Sequence, residues 1–304
     1  MTLDPGDPGL FPPQAVVSVK ALACEIPART GLPLSRFSTR EIALEVVRRG
    51  IVTAISGATV WRWLRSDVIR PWRYRSWIFP RDPDFETKAG RVLDLYQRMW
   101  NNEPLGDGDY VVCADEKPSI QARVRIHASE PAAPKRAARI EHEYERGGAL
   151  TYIAAWDVLR ARIFGRCEKR SGIKPFERLV KLIMTQEPYR SARRVFLIMD
   201  NGSSHRGQPC IERLTKAWPN LVPVHLPVHA SWLNQAEIYF SIVQRKVLTP
   251  NDFPSLQAVA QRLLDFQDHY GRTAKPHKWK FTRQDMRKIL DRLRDDLEAL
   301  RLAA

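Results

Sequence analysis

The sequence predicts an α/β chain, a mixed sheet flanked by helices preceded by an all-α segment. Three observations carry this reading. Short apolar runs alternate with helix-period stretches between Tyr110 and about Pro250. Between Ala15 and about Arg65 the apolar residues recur only at helical spacing. Two of the apolar runs, Tyr110–Ala114 and Val195–Met199, each run directly into an aspartate. With 304 residues, 44% of them apolar, the chain can fill the core of about two domains.

The elements follow in order. Met1 to Gln14 holds four Pro and two Gly and reads as a flexible lead with no signal-peptide pattern. Val16, Val19, Ala23 and Ile26 mark a first helix. Ser38 and Glu41 form a capping box for a second, with Ile42, Val46 and Val47 as its buried stripe and Gly50 as its stop. A third helix starts near Ser56, with Val60, Trp63 and Leu64 facing inward and Trp61, Arg62 and Arg65 outward. Three short helices with a turn before the last have the outline of a helix-turn-helix, assigned to residues 15–80. Arg62, Arg65, Arg70, Arg73 and Arg75 face a single acid there, Asp67, and arginine forks suit phosphates and guanine edges.

Pro80 to Pro83 breaks the chain. Asp84 to Trp100 then reads as an amphipathic helix, and 101–109 as a polar linker. The main domain, 110–250, is expected to hold strands at 110–114, 149–156, 162–167, 195–199 and 221–226, and helices at 174–185, 209–218 and 234–247. Residues 251–304 add two helices around a basic stretch.

Charge narrows the function classes. Lys plus Arg is 49 against 34 Asp plus Glu, a formal net charge of +15, which points to a polyanion such as nucleic acid. Arg160–Arg194 carries eleven basic residues against three Glu, and Arg272–Arg294 nine against two Asp. Within the second block, Trp279 lies between two lysines, placed to stack on a base or to pack on the tail helices. No apolar run approaches membrane-spanning length, so no membrane partner is expected. Four scattered cysteines without a C-x-x-C pair fit a cytoplasmic location and disfavour structural zinc.

Asp115 and Asp200, at the ends of two strands, and Glu237, just inside a helix, are the candidate catalytic and metal-binding residues. Neighbouring strands present their ends side by side, and hard oxygen donors on rigid elements suit paired Mg²⁺. Each also has a plainer reading. Asp is a common turn residue, and Asn234 with Glu237 has the outline of a helix cap. Asp157 is the chief rival as a ligand, and Glu116 should point away from Asp115.

Cys113-Ala114-Asp115-Glu116-Lys117, Leu197-Ile198-Met199-Asp200-Asn201-Gly202-Ser203-Ser204-His205 and Ser231-Trp232-Leu233-Asn234-Gln235-Ala236-Glu237 together resemble the three motifs of DDE transposases. The branch they resemble is the bacterial insertion sequence 630 group, relatives of mariner-like elements. The segment Pro71–Pro83 resembles the one joining the DNA-binding and catalytic parts of that group. The 36 residues between Asp200 and Glu237 match its spacing. This resemblance implies a ribonuclease H-like catalytic domain with Asp115, Asp200 and Glu237 as the triad. It implies two Mg²⁺ (or Mn²⁺) ions, and Asn201 and His205 supporting the second acid or touching DNA. It further implies binding to terminal inverted repeats of double-stranded DNA, cut-and-paste strand transfer into a TA target, a homodimer and a place on the bacterial nucleoid. Members of the group carry two helix-turn-helix units where this sequence shows one. The alternative expectation is therefore an amino-terminally truncated or domesticated copy that binds DNA without cutting it.

Overall fold

The computed structural model describes residues 11–73, 80–202, 205 and 207–302. The chain forms two compact units, Met1–Phe79 and Pro80–Ala304.

The first unit contains α1 (Pro13–Ala23), α2 (Thr39–Arg48) and α3 (Gly57–Ser66), with a 3-10 turn at Pro27–Thr30. α1 begins inside the stretch expected to be a flexible lead. Pro13 opens it, since proline at the first helical position forgoes an N–H that would have no partner. The capping box of α2 is present: Glu41 N–H donates to the Ser38 hydroxyl at 3.3 Å, and Ser38 N–H to the Glu41 carboxylate at 2.6 Å. Gly50, at φ +68°, closes α2 in the left-handed region, as a helix-ending glycine does. Val19, Leu22, Phe37, Ile42, Val46, Val60, Trp63 and Leu64 make the core. Val47 is 40% exposed and Ala43 is buried instead. Five residues after Ile42, Val47 has rotated past the buried face.

The second unit is built on a five-stranded mixed sheet in the order β5-β4-β3-β6-β7. Its strands are β3 (Asp109–Val124), β4 (Glu145–Asp157), β5 (Ile163–Glu168), β6 (Arg194–Met199) and β7 (Leu221–His225). β5, β4 and β3 run antiparallel, whereas β6 and β7 lie parallel to β3. The helices are α4 (Phe85–Tyr96), α5 (Ile173–Met184), α6 (Gly207–Ala217), α7 (Gln235–Lys246), α8 (Leu256–Gly271) and α9 (Arg283–Leu302). The expected helix through Trp100 ends at Tyr96. Met99–Trp100 (β1) instead pairs with Glu103–Pro104 (β2). The two turn residues, Asn101 and Asn102, sit at φ 51° and 66°, the double left-handed geometry of a tight hairpin.

Alternation along the central strands separates two cores. Val112, Ala114 and Leu197 face α5 and α6, where they meet Phe176, Leu179, Ile183 and Leu214. Val111, Cys113, Phe196 and Ile198 face α4 and the start of α7, where they meet Val92, Leu93, Leu233 and Ala236. A strand covered on both faces reads as an unbroken apolar run, which is how Val111–Ala114 and Val195–Met199 read. Each fully buried side chain of this kind contributes about 1.5–3 kcal/mol. On the β4 side, Tyr152, Trp156, Tyr239, Phe240 and Leu263 form a third cluster under α7 and α8. Gly165 lies there with the Tyr152 hydroxyl and the Gln267 amide occupying the space where a Cβ would stand.

β3 is longer than expected. It runs through Asp115 to Val124, with register shifts between Lys117 and Ile120 and between Gln121 and Arg123. Among the described residues no helix is long and apolar enough to cross a membrane.

Candidate active site

The parallel pairing of β3 and β6 decides where the two aspartates stand. The last register pair is Cys113 with Ile198. Asp115 and Asp200 each lie two residues further along, so they share one end of adjacent strands. Parallel neighbours are about 4.8 Å apart. Cys113, and with it Asp115, points toward the face that carries Leu233 and Ala236 at the start of α7, whereas Asp200 stands just past the end of β6, paired with the His205 ring.

Asn234 ties that helix to the strand. Its amide donates to the Ala114 carbonyl at 2.9 Å and to the Asp115 carboxylate at 3.2 Å. Its carbonyl oxygen accepts from Ala236 N–H at 3.1 Å and so caps α7. Asn234 is fully buried. Glu237 is the third residue of the helix capped in this way. Its carboxylate does not close a capping box, and Glu237 is exposed. Burial thus grades across the site, from Asp115 at 8% exposure, through a half-buried Asp200, to an open Glu237.

The charges are under-compensated. Burial, together with the charges of Glu237 and Asp200, pushes the Asp115 carboxyl up to about 7, against the pull of the Glu116 N–H. Burial and the Asp200 charge also raise Glu237, with Lys117 opposing them. For Asp200, burial is again the largest influence and an upward one. Hydrogen bonds from the His205 ring and the Gly202 N–H outweigh it and hold Asp200 below the usual carboxylate range. His205 is itself buried, tilted against Phe176 with ring centres 4.6 Å apart. Asn201 donates to the Leu226 carbonyl at 2.6 Å and locks the turn that follows β6 onto the end of β7. A Cβ at Gly202 would stand about 3.0 Å from the His205 ring and 3.1 Å from Asp200, tight enough to disturb their pairing.

Asp157, the rival ligand, is engaged within the fold. Its oxygens accept from Leu159 and Arg160 N–H at 3.0 and 2.9 Å and from the Tyr189 hydroxyl at 2.6 Å. It is fully buried beside Val112, away from Asp115. Glu116 faces the opposite side of β3, as alternation requires.

Among the described residues no three His, Cys, Asp or Glu side chains are drawn together into a finished metal cage. Asp115, Asp200 and Glu237 are nevertheless hard oxygen donors close enough to feel one another's charge, with the His205 ring on Asp200 and Lys117 near Glu237 as neighbouring basic groups. This donor set fits a divalent cation of the Mg²⁺ or Mn²⁺ kind.

The basic surfaces divide. Arg178 is bound to Glu168 at 2.7 Å, Arg194 to Asp109 at 2.9 Å, and Arg283 to Asp94 at 2.7 Å, so these hold the fold together. Trp279 packs on Tyr96 with ring centres 5.0 Å apart, which settles it as a packing residue. In the first unit Arg62, Arg65, Arg70 and Arg73 are exposed. Arg65 lies over the Trp61 ring at 5.0 Å. Asp67, the one acid of that stretch, is spent on Lys20 at 2.7 Å. Arg75 lies outside the described residues.

Asn234 is the residue of this site that reading the sequence placed too low, as a cap only. Its spacing from Glu237 is visible in the sequence. Its grip on Asp115 is not, because that contact joins residues 119 positions apart.

Comparison with known proteins agrees with this geometry. Residues 110–260 match the family model of the DDE superfamily endonucleases. Among solved structures, the chain resembles the mariner Mos1 paired end complex with Mg, with a TM-score of 0.52 and 14% identity, over 90% of this chain and 78% of that one. It also resembles the Mos1 paired end complex with Mn, with a TM-score of 0.51 and 15% identity, over 86% and 75%. The Mos1 strand transfer complex follows, with a TM-score of 0.50 and 14% identity, over 86% and 74%. At these identities the likeness is one of fold. A search of curated protein sequences finds no match.

Proposed function

We propose that this chain, which carries a DDE superfamily endonuclease domain over residues 110–260, is a transposase of the insertion sequence 630 group. In this reading it binds the terminal inverted repeats of its element, cuts double-stranded DNA and transfers the cut strand into a TA target, acting as a homodimer. The observation that carries the proposal is the convergence of Asp115, Asp200 and Glu237. What supports it is that two parallel strands and one pinned helix carry three carboxylates near enough to influence one another, two of them raised by burial and neighbouring negative charge.

The residues divide the work. Asp115, Asp200 and Glu237 hold the divalent cations, two ions of Mg²⁺ or Mn²⁺. Two cations so placed supply activation of the attacking hydroxyl and stabilisation of the leaving oxygen in an in-line displacement. His205 orients Asp200 and keeps it ionised. Asn234 orients Asp115. Asn201 and Gly202 fix the turn that presents Asp200. Glu237 is exposed and so is accessible to a DNA strand in this reading.

The three-helix unit acts as a helix-turn-helix in this reading. Arg62, Arg65, Arg70 and Arg73, with Arg75 after them, contact DNA. Their support is exposure and the neutralisation of Asp67 by Lys20. Replacing Arg65 by Ala is expected to weaken binding of an end fragment about tenfold, the cost of one charge-assisted contact. Unchanged mobility-shift affinity rejects that placement.

The test of the whole reading is plasmid cleavage with Mg²⁺, on a donor carrying the element's inverted repeats, comparing wild type with Glu237→Gln. Cutting by wild type alone establishes the enzyme and its third acid. Binding of the end fragment without cutting by either protein identifies a DNA-binding copy that has lost catalysis.

A further inference from the structure

Beyond the three carboxylates, along the same strand, lies a cavity of about 800 Å³ whose wall includes Lys117, Arg123, Arg125, Tyr144, Gln244 and Asn251. Two guanidinium groups share one aromatic ring there. Arg123 stands 4.6 Å and Arg125 5.5 Å from the centre of Tyr144. The Nε of Arg123 and the Nε and Nη1 of Arg125 are buried and have no hydrogen-bond partner. Among the described residues neither arginine is paired with a carboxylate. The one acid on the wall, Glu141, is already engaged by the His127 ring at 2.8 Å and by the N–H groups of Ile126 and His127 at 3.0 and 2.9 Å. The backbone around Arg123 is clamped. Its N–H donates to Asn251 at 3.2 Å, and its carbonyl accepts from Phe253 N–H at 3.2 Å.

Buried donors without acceptors cost free energy, and two like charges on one ring add to it. Both costs are removed by an anion with several acceptor oxygens. A guanidinium fork matches phosphate in this way. We propose that this cavity is a phosphate subsite, separate from the carboxylate site, that grips one backbone phosphate of the bound DNA. The proposal rests on the endonuclease reading for the identity of the polyanion. Arg123 lies eight residues beyond Asp115 on β3, and Arg125 ten residues beyond it, just past the strand's end, along a chain that rises about 3.3 Å per residue. At about 3.4 Å per base pair, the gripped phosphate falls roughly eight to ten nucleotides from the bond that is cut.

The experiment uses the full chain with Asp200→Asn, so that DNA is bound and not cut, with and without Arg123→Gln and Arg125→Gln. Affinity for an end fragment is measured from 50 to 200 mM salt. The double substitution is expected to lower affinity at least tenfold at low salt. It is also expected to reduce the slope of log affinity against log salt by about 1, the signature of one lost phosphate. Ethylation interference with the Asp200→Asn protein needs no pocket variant. It is expected to mark a phosphate about eight to ten nucleotides from the cut, and the double substitution should erase that mark alone. No mark in that interval, or an unchanged salt slope, overturns the proposal. Thermal stabilisation by inorganic phosphate that the double substitution abolishes, with DNA binding untouched, assigns the pocket to a free anion and also overturns it. Cleavage by the otherwise wild-type chain is scored separately. Its absence counts against the endonuclease reading, whereas the salt slope reports on the pocket.

Discussion

Asp115→Asn is expected to abolish DNA cleavage and, at the same time, to make the metal-free protein more stable at pH 8. The first effect follows from losing a charged ligand. Metal binding supplies several kcal/mol of transition-state stabilisation. At 1.36 kcal/mol per tenfold in rate, the loss is about a thousandfold or more. The second follows from the raised carboxyl. Asp115 ionises near 7 in the fold against 3.8 in its ordinary state. Its contribution to stability is complete below about pH 4 and is lost as pH rises through 7. The full effect is at most roughly 4 kcal/mol. Thermal midpoints of the metal-free wild type should therefore fall from pH 5 to pH 8, and those of the asparagine variant should fall less. Mg²⁺ at pH 8 should raise the midpoint of wild type and leave the variant nearly unmoved. Cleavage by Asp115→Asn removes Asp115 from the site. Identical pH slopes for the two proteins remove the idea of uncompensated charge.

Asn234→Ala should cost about 2–4 kcal/mol of folding free energy. Loss of the helix cap accounts for about 1 kcal/mol. Loss of the donor to the Ala114 carbonyl and to Asp115 leaves buried acceptors unsatisfied, at about 1–3 kcal/mol. Urea denaturation measures the sum. Asn234→Asp separates the two roles. It keeps an oxygen that can cap α7 but removes the donor and sets a fourth negative charge beside Asp115. Stability at pH 8 should then fall further than at pH 5, and the cleavage rate should drop while end binding holds. Full activity in the Asp variant shows that Asn234 serves the helix only.

The parts of the site legible in the sequence were those set by local rules. Asp115 and Asp200 each follow an apolar run, and those runs are buried on both faces, so composition alone placed both acids on a sheet. The Asn234 cap argued for Glu237 as a mere helix stabiliser, and only the resemblance of Ser231–Glu237 to the third DDE motif singled it out. The course of β3 past Asp115 was hidden because Pro118 argues against a strand. Proline is tolerated there because the register shifts at that point, with Ser119 at φ 57°. Met99 and Trp100 fit a helical stripe, and only the left-handed pair Asn101–Asn102 diverts them into a hairpin. Asp157 and Asp115 end similar runs and look equivalent in sequence. What disqualifies Asp157 is the Tyr189 hydroxyl, 32 residues away. The arginine pocket escaped notice for the same reason, since Arg123, Arg125 and Tyr144 come together only once β3 and the segment before β4 are folded.

The pairing of β3 with β6 also fixes a timetable. The antiparallel ribbon of β3, β4 and β5 needs only residues that are near one another in the chain. The parallel ladder must instead join positions such as Asp109 and Arg194, 85 residues apart. Long-range parallel pairing is slow, because the intervening loop must close before any contact repays it. During synthesis, Asp115 therefore sits in a finished ribbon while Asp200 and Glu237 are still to emerge. The three acids come together in one late step, when β6 pairs with β3 and α7 docks. A chain stopped before β6 therefore holds Asp115 without either of its partner acids.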